Sequence, residues 1–141
     1  MNLAFIGMAA ALGLSAAGSA FGAGFAGMSS VGAWKKCYAA GKPAPFIMIA
    51  FTGAPLTQTI YGFLLMQQMK GSSADPAFLF GLGIASGLAM ALSAVFQGKA
   101  GAAGADALAE TGKGFSQYIT VVGLCETVAL FALVFSMVAL G

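Results

Sequence analysis

The chain has no arginine and no histidine, and charge of either sign is scarce: six lysines face four acidic residues in 141 positions. Only 7% of its residues are charged, against about a quarter in a typical soluble domain, too few to cover a water-facing surface. A net charge of +2 is too small to suggest a nucleic-acid partner. Without histidine, and with two cysteines read as lying in different settings, zinc or copper chemistry has no ligand set. Cys37 is read in a loop and Cys125 inside the last apolar run, so no disulfide framework is expected and Cys125 serves as a small apolar filler.

Apolar residues make up 60% of the chain, and its mean hydropathy is +0.93. The apolar runs near residues 3–30, 44–69, 77–105 and 115–140 are each long enough to cross a bilayer, which takes about 20 residues of helix. The expected fold is an all-α membrane protein with four transmembrane helices in two hairpins, residues 1–70 and 77–141. No basic stretch precedes the first run and no clear cleavage signal follows it, so we read it as a retained span. Gly22-Ala23-Gly24-Phe25-Ala26-Gly27 matches a dinucleotide-binding fingerprint in letters only, because it follows no strand and opens no helix.

The halves echo one another. Ser19-Ala20 parallels Ser93-Ala94, Gly41-Lys42 parallels Gly112-Lys113, and Gln58-Thr59 parallels Glu126-Thr127, which points to a duplicated hairpin. Ala11, Ser15, Gly18, Ser19, Gly22 and Ala26 give the first span small residues at close-packing spacing. They fit a tight contact within one chain or a crowded layer where several copies meet; on the second reading, leucine at Gly18 or Gly22 costs assembly while the monomer still inserts. The second and fourth spans carry the bulk, including Phe51, Tyr61, Phe63, Phe131 and Phe135.

Glu126 stands well inside the fourth span. An acidic residue at that depth costs about 2.5–3.5 kcal/mol on the most lenient scale, so it reads by default as functional rather than as a protonated structural group. In the second span Pro55 cannot donate a backbone hydrogen bond, which frees the carbonyl four residues earlier, and Thr57, Gln58 and Tyr61 follow. Gln97 is the strongly polar amide of the third span. Gln97 lies 15 residues before Gly112, Glu126 lies 14 after it, and Gln58 lies 16 after Lys42, which puts all three at one level. One carboxylate, two amides, a hydroxyl and a freed carbonyl form an oxygen-only set suited to a hard monovalent cation, sodium before calcium.

Pro55-Leu56-Thr57-Gln58-Thr59-Ile60-Tyr61-Gly62, Phe96-Gln97-Gly98-Lys99 and Cys125-Glu126-Thr127 together resemble the sodium-binding pattern of V-type ATPase proteolipids, the subunit K family. The resemblance implies a homo-oligomeric ring in the lipid bilayer of the cell membrane that turns against a stator subunit, loading and releasing ions, with no cofactor and no catalysis by the chain alone. It implies Glu126 as the ion-binding carboxylate, Thr57, Gln58 and Gln97 as side-chain ligands, Ala54 as a carbonyl ligand, and Tyr61 as the residue that orients the carboxylate. Ala54 departs from the larger aliphatic residue expected there, although a carbonyl survives that change. It further implies a stator arginine and a central-stalk subunit at the cytoplasmic loops. Proton-driven relatives keep the Glu without needing the Thr-Gln pair, so a proton rotor is the alternative, followed by a small multidrug-type transporter.

Lys35, Lys36, Lys42, Lys99 and Lys113 are read at one side and Lys70 at the other, which puts both hairpin loops in the cytoplasm and both ends outside. Cysteine labelling is then expected to reach Cys37 only from the cytoplasmic side, and a tag at Gly141 to be accessible only from the outside.

Overall fold

A computed structural model describes residues 2–141; Met1, the first residue of the expected first hairpin, lies outside the described residues. The chain forms α1 (Leu3–Ala39), α2 (Ile49–Gly53), α3 (Thr57–Gly71), α4 (Pro76–Thr111) and α5 (Phe115–Ala139). Short 3₁₀ turns at Phe46–Met48 and Ala54–Leu56 merge α2 and α3 into one continuous span, Phe46–Gly71. The result is four helical spans long and apolar enough to cross a membrane, with no strand among the described residues.

Two helices outrun the apolar stretches that announced them. α1 continues to Ala39 rather than ending near residue 30, and α4 continues to Thr111 rather than residue 105. Charged residues end an apolar run without breaking a helix, because the backbone hydrogen bonds are indifferent to what the outward side chains carry. The helices stop where the backbone must turn: at Gly41, with φ +63° and Pro43 and Pro45 beyond, and at Gly112, with φ +67° in a left-handed cap. Trp34, Lys35 and Lys36 are therefore helical, Trp34 Nε1 donating to the Pro45 carbonyl at 2.9 Å and Lys36 pairing with Asp106 at 2.5 Å. At the other end Asp75 caps α4, accepting from the amides of Ala77 and Phe78, with Pro76 in the first turn.

Cys37 is not in a loop. It lies in the last turn of α1, 2% exposed, with its thiol 3.9 Å from the Ala109 carbonyl. Labelling of the loop therefore needs a cysteine introduced at the exposed Lys42. Lys99 lies inside the third span, within the expected 77–105. It sits 13 residues before Gly112, about 20 Å along α4, with its ammonium 5.3 Å from the Phe96 ring centre and 5.7 Å from that of Phe25.

α1 and α4 run parallel and form the most extensive contact in the fold. Gly7 meets Leu79 and Gly83, Gly18 meets Ala91, Gly22 meets Ala94 and Gly98, and Ser29 donates to the Ala102 carbonyl at 2.7 Å. α3 lies antiparallel to α1, with Gly62 against Ala11 and Ser15, while α5 lies antiparallel to α4. The small residues of α1 are thus buried within one chain: Ala11, Ser15, Gly18, Ser19, Gly22 and Ala26 face α3 and α4. This is the tight intrachain contact, not a face left open for other copies. Much of the bulk of the second and fourth spans faces outward, with Phe46, Leu56, Ile60, Leu124, Val128, Phe131 and Phe135 exposed, whereas Phe51 and Leu65 are fully buried.

The glycine segment Gly22–Gly27 lies in the middle of α1, so its amides are spent on the helix and none faces a phosphate.

A Cβ on Gly22 would lie 2.8 Å from the Pro55 side chain and closer still to the Ala94 carbonyl, whereas nothing lies within 4 Å of one on Gly24. Gly22→Ala is therefore expected to pry α1 from α4 at a cost of about 1–3 kcal/mol, read by unfolding in detergent. Gly24→Ala is expected to leave stability unchanged or slightly raised.

Candidate functional site

Pro55 shapes the local backbone of the second span. Around it the helix tightens into the 3₁₀ turn Ala54–Leu56, in which the Thr57 amide donates to the Ala54 carbonyl. Thr57 and Tyr61, four residues apart at the start of α3, share one face and turn toward α5. Gln58 and Gln97 are both fully buried, a placement tolerated only because their amide groups are paired.

The chain brings the expected side chains together around Glu126. Its Oε1 accepts hydrogen bonds from Thr57 Oγ1 at 2.5 Å and Tyr61 OH at 2.6 Å, and its Oε2 accepts from Gln97 Nε2 at 3.2 Å. Gln97 Nε2 also donates to the Val122 carbonyl at 3.1 Å. Gln97 Oε1 in turn accepts from Gln58 Nε2 at 2.7 Å. Three helices therefore meet at one carboxylate. Glu126 itself is half-buried, with the exposed Leu124 and Val128 beside it on α5.

Thr57 has fewer protons to give than its neighbours can accept. Its single hydroxyl hydrogen faces three acceptors: Glu126 Oε1 at 2.5 Å, the Ala54 carbonyl at 3.0 Å and Gln58 Oε1 at 3.3 Å. A hydroxyl donates once. With that proton on Glu126, the Gln58 oxygen and the Thr57 oxygen face each other with no hydrogen between them. Such an oxygen-only cluster, one carboxylate among neutral oxygens, can hold a proton or a hard monovalent cation.

The carbonyl freed by Pro55 is not in this cluster. It belongs to Phe51 and lies against Gly101, where an added Cβ would sit 3.0 Å away. The carbonyl at the cluster is Ala54's. Lys99, only two residues from Gln97, does not pair with the carboxylate, since Lys36–Asp106 is the only ion pair among the described residues. Two contributors escaped the sequence reading: the Val122 carbonyl and Ser93, whose hydroxyl donates to the Cys125 carbonyl at 2.7 Å. Backbone carbonyls leave no mark in a sequence, but Ser93 stands four residues before Gln97 and on its face, a signal that was available.

Residues 80–139, which include Gln97 and Glu126, match the family model of the ATP synthase C-subunit. The A-type ATP synthase subunit K of Methanocaldococcus jannaschii is 35% identical over 141 residues, an alignment that takes in 98% of this chain. Both likenesses support a V/A-type ATPase proteolipid. The chain covers 61% of the length of that subunit K. The two likenesses agree with a multi-pass membrane protein whose four spans, among the described residues, are all helical.

Gln97→Leu removes a donor from Glu126 and the 2.7 Å acceptor of the buried Gln58 amide. Its expected cost is about 1–3 kcal/mol, measured by unfolding of the detergent-solubilised protein.

Proposed function

We propose that the chain is the rotor-ring proteolipid of a V/A-type rotary ATPase and that Glu126 binds and releases sodium as the ring turns. The observation that carries this reading is the oxygen cluster at Glu126, where one hydroxyl proton is set against three acceptors. Sodium would draw on the oxygens of Thr57, Gln58, Gln97 and Glu126 and on the Ala54 carbonyl, with Tyr61 orienting the carboxylate. One negative charge among neutral oxygens balances one monovalent cation.

Burial then supplies the mechanism. Loaded, the site is close to neutral and passes the lipid; emptied, the carboxylate needs a positive partner. The chain contains no arginine, and its Lys99 ammonium rests on two phenyl rings. That partner comes from a neighbouring stator subunit. A charge crossing the full membrane potential exchanges about 2.3 kcal/mol per 100 mV, energy that the ring delivers as torque. Lys42 and the α4–α5 turn lie side by side across a shared groove, with Pro43, Pro45 and Ala109–Gly112, and these loops form the cytoplasmic face offered to the stalk. A proton rotor would use the same carboxylate with no need for the Thr57–Gln58 oxygens. A small transporter would extract as a small oligomer rather than as a large closed ring, a difference that native mass resolves.

The deciding experiment is labelling of extracted rings with a hydrophobic carbodiimide, which reacts with a protonated membrane carboxyl. Labelling is expected at Glu126 and lost in Glu126→Gln. Sodium is expected to protect, less strongly as pH falls, because proton and cation compete for one carboxylate. Gln58→Leu is expected to keep labelling but lose sodium protection. Labelling that ignores sodium at every pH rejects the sodium assignment in favour of protons.

A further inference from the structure

Ser93 and Gln97 lie four residues apart on α4 and hence on one face. Both grip the turn of α5 that carries the carboxylate. Gln97 Nε2 donates to the Val122 carbonyl at 3.1 Å, and Ser93 Oγ donates to the Cys125 carbonyl at 2.7 Å. Ser93 Oγ is also approached by Gln58 Nε2 at 3.5 Å, and the residue is only 6% exposed. Its hydroxyl thus joins the backbone of α5, one residue from Glu126, to the amide layer of α3 and α4.

The two grips differ in kind. Gln97 also bonds the carboxylate itself, a group whose charge balance changes whenever an ion enters or leaves. The Ser93–Cys125 bond joins two neutral groups, and neither changes charge in that cycle. We infer that Ser93 is a positioning residue: its hydroxyl fixes α5 at Cys125 and so sets where the Glu126 carboxylate meets Thr57, Gln58 and Gln97, through loading and release alike. The inference rests on the ion-binding reading of Glu126. A ligand set discriminates among ions only if held to a fraction of an ångström, and a bond to the neighbouring backbone supplies that constraint.

The test compares Ser93→Ala with Ser93→Thr in intact rings, by the sodium and lithium concentrations that half-protect Glu126 from carbodiimide. Threonine keeps the hydroxyl. Ser93 itself lines an apolar groove of about 430 Å³ with Ala89, Leu92, Phe96, Cys125 and Val128. Ser93→Ala is expected to raise the half-protecting sodium concentration about ten-fold, to change the sodium-to-lithium ratio, and to leave labelling without either ion intact. Ser93→Thr is expected to restore the wild-type values. Unchanged protection in Ser93→Ala, a failure of threonine to restore it, or a parallel rise for both ions overturns the inference. Should the wild type prove indifferent to sodium, the ion assignment fails on its own account. The pH of half-maximal labelling then decides for Ser93: a shift in Ser93→Ala that threonine reverses upholds its role, and no shift overturns it.

Discussion

A carboxylate in an apolar span must be satisfied by the helices around it, and the interior of this chain is arranged to meet that demand. Water is scarce at that depth, so every hydrogen bond to Glu126 comes from another element: two hydroxyls from α3 and an amide from α4. Each donor in turn needs a partner. Gln97 is held by Gln58 and by the Val122 carbonyl, and Ser93 by the Cys125 carbonyl. The network therefore fixes how far α3 and α5 stand from α4, and at what height along it.

Such a network closes only if the helices come close enough. α1 makes this possible from behind. Its glycines let α4 approach to backbone contact at Gly7, Gly18 and Gly22, and Ser15 receives Gly62 of α3. The two helices that carry Gln58 and Gln97 are thereby drawn onto one thin post. Pro55 packs against Gly22 at the turn just before Thr57, so the same glycine that admits α4 also seats the bend that presents the threonine. Packing and polar chemistry meet at this level of the bundle. Phe51, Met48, Leu65 and Met90 fill the interior away from these glycine contacts, while many other bulky residues face outward.

Ion coupling, in the proposed function, uses the imbalance that remains. Glu126 accepts from three donors, but the Thr57 hydroxyl among them also faces the Ala54 carbonyl and Gln58 Oε1, and Glu126 is only half-buried. A fully satisfied carboxylate would be a structural pin. One that is partly satisfied and open on one flank can exchange an ion with a neighbouring subunit. Ser93 matters in that cycle because it holds backbone rather than charge.

The sequence by itself determined the membrane class, the four spans, and the common level of Gln58, Gln97 and Glu126. Hydropathy and helical rise are local properties, and counting along a helix converts directly into height. It could not place the ends of α1 and α4, because charge stops an apolar run while only Gly41 and Gly112 stop the helices. Cys37 was misplaced for the same reason. Tertiary structure alone decided that the small residues of α1 are spent inside one chain, since small spacing reads the same against any helix. It also decided which carbonyls take part. Pro55 marks Phe51 as free, yet the carbonyl beside Thr57 is that of Ala54, and those of Val122 and Cys125 are recruited across the bundle. Every residue carries the same carbonyl, so only the path of the backbone can select the ones that face the site.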